Sequence, residues 1–154
     1  MGELFNLTNA NVKLYDGPPR NMDPTFGIAY FDKTRDTGYG GYHYDGRWTP
    51  VAETLIVTTN WMPMDIGCGK GFLLNGLQEV CPEMKIWGTG VSEYAIENSH
   101  PEVKNLIDFG SAEKLDYPDN YFDCVTSINT FHFLSPEKSE IALQEMLRVF
   151  KDPQ

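Results

Sequence analysis

The sequence feature that most constrains the fold is a seven-residue run, Asp-Ile-Gly-Cys-Gly-Lys-Gly, at positions 65–71. Its glycines allow a sharp turn and a close approach to a ligand, because glycine lacks a Cβ atom and accepts positive φ at little cost. A short strand is predicted to end at Asp65, and Phe72, Leu73 and Leu77 follow the turn at helical spacing. The run therefore predicts a strand end, a tight turn and a helix N-terminus that together bind a nucleoside ligand.

Two other glycine-rich motifs do not match this spacing. A dinucleotide fingerprint would need its third glycine where Phe72 stands, and a P-loop would need glycine at Met64 and serine or threonine at Gly71. Asp65 suits a different ligand, because a carboxylate there can hold an ordered water or accept a hydrogen bond from a cationic amine. A tight turn without a ligand remains the alternative for the heptapeptide by itself.

Helix start and stop signals divide the rest of the chain into alternating strands and helices. The start signals are Thr49-Pro50, Ser92-Glu93 and Ser135-Pro136, and the stop signals are Cys81-Pro82 and Pro101. Because strands alternate with helices, the pattern predicts a parallel sheet that is covered by helices on both faces. The first 50 residues differ, since their proline and glycine clusters and aromatic run predict loop.

Beyond the glycine turn, four further segments resemble the class I S-adenosylmethionine-dependent methyltransferases. Residues 84–99 are similar to the second strand and following helix of that family, and residues 110–113 to the loop after its third strand. Residues 121–127 are similar to its fourth strand, and residues 143–151 to the helix before its fifth strand. The resemblance implies an α/β fold of the Rossmann-like, three-layer α/β/α methyltransferase type, with a mostly parallel sheet that lacks the C-terminal strands.

The same resemblance, carried over residue by residue, implies a cofactor and the residues that contact it. The cofactor is S-adenosylmethionine. Its implied binding residues are Asp65, Gly67, Cys68, Gly69, Gly71, Gly90, Val91, Ser111, Ala112, Glu113 and Asn129. The chain is thereby divided into an aromatic, glycine-rich segment over 1–48, which could fold over the pocket as a lid, and an incomplete S-adenosylmethionine-binding domain over 49–154.

Two of these positions depart from the family pattern. Gly90 stands where the family usually has an acid that accepts hydrogen bonds from both ribose hydroxyls, and Glu93 could replace that acid only in part. A hydrogen bond to a charged group contributes about 1.5 to 3 kcal/mol, so its loss is expected to weaken cofactor binding by about ten- to a hundredfold. Ser111 stands where an aspartate usually accepts from the adenine amino group, and a hydroxyl is the weaker acceptor.

The predicted sheet has two weak points. Pro63 lies in the predicted central strand, where it removes a ladder donor, so that strand is expected to be short. The chain ends at Gln154, where the family continues into a fifth strand and two more. The resemblance then predicts strand order 3-2-1-4, with the strand over 124–128 at an edge that invites pairing. This predicts a homo-oligomer, a partner that covers this edge, or a longer product.

Candidate catalytic and acceptor-binding residues lie on both sides of the cofactor motif. His132 is the candidate base, because its unperturbed pKa lies near neutrality; a histidine that merely packs between Phe131 and Phe133 is the alternative. The candidate acceptor-binding residues in the aromatic run are Tyr42, Tyr44, Arg47 and Trp48. Aromatic faces bind sugar rings or a cation, and a surface turn of packed tyrosines is the alternative there.

Composition and charge exclude several partners. The formal charge is −10, from 12 basic and 22 acidic residues, and no Lys/Arg cluster is visible, so we do not expect nucleic acid binding. The N-terminus does not resemble a secretory leader and no stretch is long enough to span a bilayer, so we expect a cytoplasmic protein without membrane contact. Cys68, Cys81 and Cys124 are widely spaced, which predicts reduced thiols and no metal site.

Three functions are compatible with these observations. The first is an S-adenosylmethionine-dependent methyltransferase that acts on a small molecule, such as a sugar or a related metabolite, by transfer to oxygen or nitrogen. The second is a methyltransferase-like subunit without activity of its own, which works through a partner that completes its sheet. The third is a truncated chain that folds poorly, and a non-cooperative melt would support it.

Overall fold

A computed structural model of the protein describes residues 24–56 and 61–151. The helices are α1 (Ile28–Asp32), α2 (Thr49–Leu55), α3 (Phe72–Val80), α4 (Glu93–Glu97) and α5 (Pro136–Val149), and the strands are β1 (Pro63–Ile66), β2 (Trp87–Gly90), β3 (Ile107–Phe109) and β4 (Cys124–Thr126). Short 3-10 helices cover Lys104–Leu106 and Phe131–Phe133. Part of the predicted N-terminal segment, residues 1–23, lies outside the described residues.

The four described strands form one sheet in the order β3-β2-β1-β4, and every neighbouring pair is parallel. Met64 and Ile66 of β1 pack with Ala142 and Val149 of α5 in one hydrophobic core. A second core unites α2 and α3 with side chains from the β2 and β3 region; among its members are Ala52, Leu74, Leu77, Ile86 and Ile107. Since β-strand side chains alternate between faces, the two cores cover opposite faces of the sheet, and the predicted α/β/α architecture is confirmed.

The helix boundaries follow the local signals in the sequence. Ser92 Oγ accepts a hydrogen bond from the Ala95 amide at 2.9 Å, and Ser135 Oγ accepts from the Lys138 amide at 3.3 Å. Such caps satisfy amides that have no partner within the helix. Pro50 occupies the first turn of α2, where its missing N–H costs nothing.

The central and edge strands are both short. Pro63 is the first residue of β1, the position in a strand that tolerates proline, and it lies opposite Cys124. The prediction of a strand as far as Ile128 was wrong, because β4 ends at Thr126. Ser127 there donates its hydroxyl to Ile66 O at 3.0 Å, and Asn129 has a φ of 58°, so the chain leaves the strand direction.

Just before the outer edge of β4, the chain contacts the end of α5. Phe122, just before β4, forms an isolated parallel bridge with Phe150, just after α5. The Lys151 amide extends this contact by donating to Phe122 O at 2.8 Å. That a second copy or another protein covers this edge stays a prediction. No helix in the described part of the chain is long and apolar enough to cross a membrane.

The prediction that the first 50 residues form only loop was wrong, because α1 lies within them. Tyr30 and Phe31 of this helix are buried, and they form a third cluster with Ala95 of α4. Further rings from Phe26, Tyr39, Tyr42, Tyr94 and Phe133 pack around this cluster. The five-residue helix is too short to be stable alone, so its contacts with the rest of the fold stabilise it.

Candidate functional site

A cavity of about 400 Å³ lies at the carboxyl ends of the four strands. The segments that follow β1, β2, β3 and β4 all contribute to one side, which we call the strand-end wall. Residues 26–42, which we call the aromatic segment, contribute most of the facing side through Phe26, Tyr30, Phe31, Tyr39 and Tyr42. Ligands of open parallel sheets bind at this end of the strands, and the volume is within the usual range for small-molecule sites.

The glycine turn forms the centre of the strand-end wall. Gly67 and Gly69 line the cavity with φ values of +75° and +57°, in the left-handed region that favours glycine. The amides of Gly67 and Cys68 both donate to Thr89 O, at 2.8 and 3.1 Å, which fixes the turn against β2. A Cβ atom at Gly67 would overlap Thr130 Oγ1, so any larger residue there would displace the segment after β4.

Two other residues of the turn have packing roles. Gly71 does not line the cavity; a Cβ atom there would lie 2.8 Å from Ile107 Cδ1 and 2.9 Å from Val103 Cγ2 in the core. Cys68 lines the cavity but is 5% exposed, and burial raises the pKa of its thiol. Cys68 therefore acts as a small neutral side chain in the wall.

Asp65 is the buried acid of the cavity. It is 5% exposed, and its Oδ1 accepts a hydrogen bond from Thr126 Oγ1 at 2.9 Å. Burial raises the pKa of Asp65 to about 7, and the hydrogen bond from Thr126 opposes that rise. A cationic amine in the cavity would favour the ionised carboxylate, as expected for the ammonium group of S-adenosylmethionine.

Gly90, at the end of β2, leaves open space in the cavity. No atom lies within 4 Å of the position that a Cβ atom would occupy there. Val91 beside it also lines the cavity, whereas Glu93 does not. The structure therefore places Gly90 at the cavity, and no carboxylate of the described residues lies within 4 Å of the position where a side chain would begin.

The loop after β3 supplies Ser111, Ala112 and Glu113 to the cavity. Ser111 Oγ accepts a hydrogen bond from the Glu113 amide at 3.2 Å, so this hydroxyl is already hydrogen-bonded within its own loop. Glu113 Oε1 accepts from Lys138 Nζ at 2.9 Å, and Lys138 also lines the cavity. This ion pair links the loop to α5, a contact that no local sequence pattern indicates.

The two candidates after β4 have different positions. Asn129 lines the cavity, and its positive φ is one that asparagine tolerates better than most residues. His132 is exposed on the following 3-10 helix and does not line the cavity. Its ring packs on Phe133, with centroids 3.9 Å apart, and it is Phe133 that lines the cavity.

The four acceptor-binding candidates are also divided. Tyr42 and Trp48 line the cavity, whereas Tyr44 and Arg47 do not. The Tyr44 hydroxyl donates to Glu79 Oε2 at 2.6 Å on α3, and exposed Arg47 pairs with Asp45. The chain therefore leaves the cavity after Tyr42 and returns to it at Trp48, with the Tyr44 ring half-buried against Phe72 and Arg47 exposed.

The aromatic segment supplies four cavity-lining rings that were not among the predicted site residues, those of Phe26, Tyr30, Phe31 and Tyr39. Phe26, Tyr30 and Phe31 recur at a spacing that gives one face of a short helix, and this was the available signal. Tyr39 stacks on Tyr42 with centroids 4.5 Å apart, and Phe26 meets Phe133 edge to face at 4.9 Å. These rings pack on one another along the side of the cavity that faces the strand-end wall.

The cavity suits S-adenosylmethionine because it combines the glycine turn, a buried acid and open volume. Asp65 would hold its amine, and the glycine turn leaves room for its amino-acid tail. Val91, Ser111 and Ala112 would contact its nucleoside part.

Comparisons with known proteins agree with this fold. The sequence profile of a family described as "Methyltransferase domain" matches residues 64–153. The chain is 30% identical over 132 residues to the ubiquinone/menaquinone biosynthesis C-methyltransferase UbiE of Paraburkholderia xenovorans, covering 80% of this chain and 52% of that protein. It is 33% identical over 93 residues to the demethylmenaquinone methyltransferase of Symbiobacterium thermophilum, covering 53% and 37%. The chain thus spans about half the length, or less, of these relatives.

Two solved structures are also similar. The [4+2]-cyclase SpnF gives a TM-score of 0.58 at 25% identity, covering 69% of this chain and 41% of that one. A possible histamine N-methyltransferase of Thermotoga maritima, described as S-adenosylmethionine-dependent, gives a TM-score of 0.53 at 25% identity, covering 70% and 47%.

Proposed function

The chain belongs to the class I S-adenosylmethionine-dependent methyltransferase family, and from this premise we propose that it methylates a small, flat, largely apolar ring compound of the quinol class. Transfer is to a ring carbon. The observation that carries the proposal is the aromatic segment, which faces the strand-end wall across the cavity.

The chemistry of the cavity favours a flat ring over a sugar. Tyr30, Tyr39, Tyr42 and Phe133 present stacked and edge-on rings, a surface that binds another aromatic ring through offset or edge-to-face contacts. A sugar would need many polar partners, and the polar residues of the cavity, such as Asp65, Ser111 and Glu113, belong to the strand-end wall, where the cofactor is expected. Transfer to carbon is supported by the C-methyltransferase relatives, whose names refer to ubiquinone and menaquinone. The proposal therefore replaces the sugar and the oxygen or nitrogen acceptor expected from the sequence.

The residues of the cavity have simple roles in this reaction. S-adenosylmethionine supplies an electrophilic methyl group on a sulfonium centre. Asp65 would bind the amine, and the glycine turn would leave room for the amino-acid tail. Tyr42 packs near Gly69, so its ring can attract the positive sulfonium. The aromatic segment aligns the acceptor and excludes water, the main requirements for methyl transfer.

No base is assigned. Transfer to a ring carbon breaks the sulfur–methyl bond of the cofactor, forms a carbon–methyl bond and releases the proton of that ring carbon, which passes to water. Exposed His132 lies outside the cavity and therefore does not receive this proton directly.

An assay with labelled S-adenosylmethionine tests this function. The 154-residue chain is incubated with methyl-labelled cofactor and, separately, with a benzoquinol, a naphthoquinol and a set of simple glycosides under reducing conditions. We expect label on a ring carbon of a quinol, as located by mass spectrometry. Label on glycoside oxygens alone would contradict the proposal.

A methyltransferase-like subunit without activity is a second candidate, and one observation favours it. The open space at Gly90 holds no acid for the ribose, and Ser111 is engaged within its own turn. A folded chain that gives no binding heat with S-adenosylmethionine and no transfer to any acceptor would support this candidate.

A further inference from the structure

The aromatic segment is attached to the rest of the protein by a cluster of polar groups around the buried amine of Lys70. Lys70, within the glycine turn, has a side chain that is 9% exposed. Its Nζ donates to both carboxylate oxygens of Asp32, at 2.7 and 2.6 Å, and to Tyr42 O at 3.0 Å. Asp32 lies at the end of α1, so a single ammonium group joins the glycine turn to two points of the aromatic segment.

Asp32 collects further donors from two elements. The Tyr94 hydroxyl of α4 donates to Asp32 Oδ2 at 2.6 Å, and the Tyr42 amide donates to Asp32 Oδ1 at 3.2 Å. Burial raises the pKa of this carboxyl, but the hydrogen bonds from Lys70, Tyr94 and Tyr42 outweigh burial and lower it. The carboxylate is therefore ionised at neutral pH, and the cluster contains one full ion pair.

A second attachment lies at the other end of the segment. Ser92, which lines the cavity, donates its hydroxyl to Phe26 O at 2.6 Å. Between Phe26 and Asp32, the segment contacts the strand-end wall and α4 through rings, which can separate without breaking a hydrogen bond. The glycines on both sides of Lys70 have φ values of +57° and +71°, so the direction of its side chain depends on the turn that forms the cofactor site.

We propose that Lys70 and Asp32 form a latch that keeps the aromatic segment closed over the cavity, so that ligands exchange only when this ion pair opens. Lys70 is thereby a positioning residue. It lies beside the cofactor turn, does not line the cavity, and acts through Asp32 on rings that do. The latch does not depend on which acceptor the cavity takes.

Variants at the two ends of the ion pair test the latch. Lys70→Met keeps most of the aliphatic stem and removes the charge, Asp32→Asn keeps the shape of the acid, and the double variant removes both charges. The matched control is Lys151→Met, which breaks the Lys151–Asp123 pair (2.8 Å), another partly buried Lys–Asp pair whose members do not line the cavity. Lys70→Arg is the conservative rescue.

The first readout is the release rate of S-adenosylhomocysteine, measured by stopped-flow tryptophan fluorescence, since Trp48 lines the cavity. We expect each single charge removal to speed release about tenfold, the size of a typical coupling between two sites. The double variant should be no faster than either single variant, and Lys70→Arg should restore most of the slow release. Lys151→Met should lower the melting temperature without changing the release rate.

The second readout requires no ligand. The Tyr42 amide donates to Asp32 Oδ1 at 3.2 Å and the neighbouring Gly41 amide to Phe31 O at 3.1 Å, so the hydrogen exchange of both reports loosening of the cluster around Asp32. Lys70→Met should speed their exchange while the Tyr121 and Phe122 amides, bonded to Val149 O, remain protected. If the wild-type chain does not bind the probe, the cofactor site is wrong and exchange alone decides the latch. Either of two results overturns the latch. One is folded variants whose hydrogen exchange matches that of the wild type, and the other is single variants whose effects on the release rate add in the double variant.

Discussion

The two sides of the cavity are built from different materials. The strand-end wall is built on the segments that follow four parallel strands, and its glycine turn is fixed by hydrogen bonds from the amides of Gly67 and Cys68 to Thr89 O. The aromatic segment consists of side chains that pack on one another, with Lys70 and Ser92 as its polar attachments described above. The strand-end wall is therefore held in place and selects ligands by the space it leaves. The aromatic segment is held by contacts that can separate, and it selects ligands by the chemistry of its rings.

This difference separates two properties of the protein. Cofactor affinity should respond to changes at the strand ends, because space and charge there decide whether S-adenosylmethionine fits. Acceptor choice and ligand exchange should respond to changes in the aromatic segment. Substitutions on each side should consequently leave the property of the other side nearly unchanged.

The largest effect is expected at Gly67. Gly67→Ala places a Cβ atom against Thr130 Oγ1 at a residue with φ +75°, so it combines steric overlap with backbone strain. We expect it to lower the free energy of unfolding by about 3 kcal/mol or more and to abolish cofactor binding, as measured by urea denaturation and calorimetry. Gly46→Ala is the matched control, because its φ is +77° but nothing lies within 4 Å. Equal destabilisation of both variants would show that the overlap does not matter.

The second effect is a gain at Gly90. Gly90→Asp fits the open space at the end of β2 and supplies the missing acid, so we expect cofactor affinity to rise by about ten- to a hundredfold. Asn105→Asp, which adds the same charge at an exposed position that does not line the cavity, should leave affinity unchanged. If Gly90→Asp and Asn105→Asp behave alike in calorimetry, the ribose argument is wrong.

Cofactor binding should also depend on pH through Asp65. Burial raises its pKa to about 7, so a proton competes with the cationic amine below neutrality. We expect affinity to fall by up to about tenfold per pH unit below pH 7. For the folding stability of the ligand-free chain, the effect of pH has the opposite direction. Because folding raises the pKa of Asp65 from 3.8 to about 7, this residue stabilises the fold below pH 3.8, and the stabilisation is lost as the pH rises to about 7. Asp65→Asn should remove both dependences, and a pH profile of affinity that survives this change would point to another group.

The smallest effect is expected in the aromatic segment. Tyr39→Leu removes a ring that stacks on Tyr42 and meets Tyr30 edge to face, with centroids 4.5 and 5.3 Å away. We expect KM for a quinol acceptor to rise by about three- to tenfold, while cofactor affinity changes less than twofold. Tyr44→Phe, outside the cavity, is the control for the acceptor effect. A loss of cofactor affinity equal to the loss for the acceptor would contradict the separation of the two sides.

The strand-end wall could be predicted because its requirements are local. The glycine turn needs positive φ at fixed positions, and caps at Ser92 and Ser135 identify helix starts within a few residues. Parallel alternation of strands and helices then leaves few ways to order the sheet. The structure confirmed the strand order 3-2-1-4 and the predicted packing of helices on both faces of the sheet.

The aromatic segment could not be predicted to the same extent, because its conformation depends on contacts distant in sequence. Asp32 meets Lys70 and Tyr94, 38 and 62 residues away, and no local pattern indicates such a pair. Dependence on distant contacts also explains why the sequence did not indicate that Tyr44 and Arg47 lie outside the cavity. Aromatic composition showed what the segment contains but not which rings face the cavity.

A calorimetric titration of S-adenosylmethionine and S-adenosylhomocysteine into the 154-residue chain tests the central claim most directly. A cooperative melt is recorded on the same sample to establish that it is folded. We predict one site per chain with micromolar to sub-millimolar affinity for both ligands, tightened in Gly90→Asp. No heat from a folded sample, for either the wild-type chain or Gly90→Asp, would contradict the account.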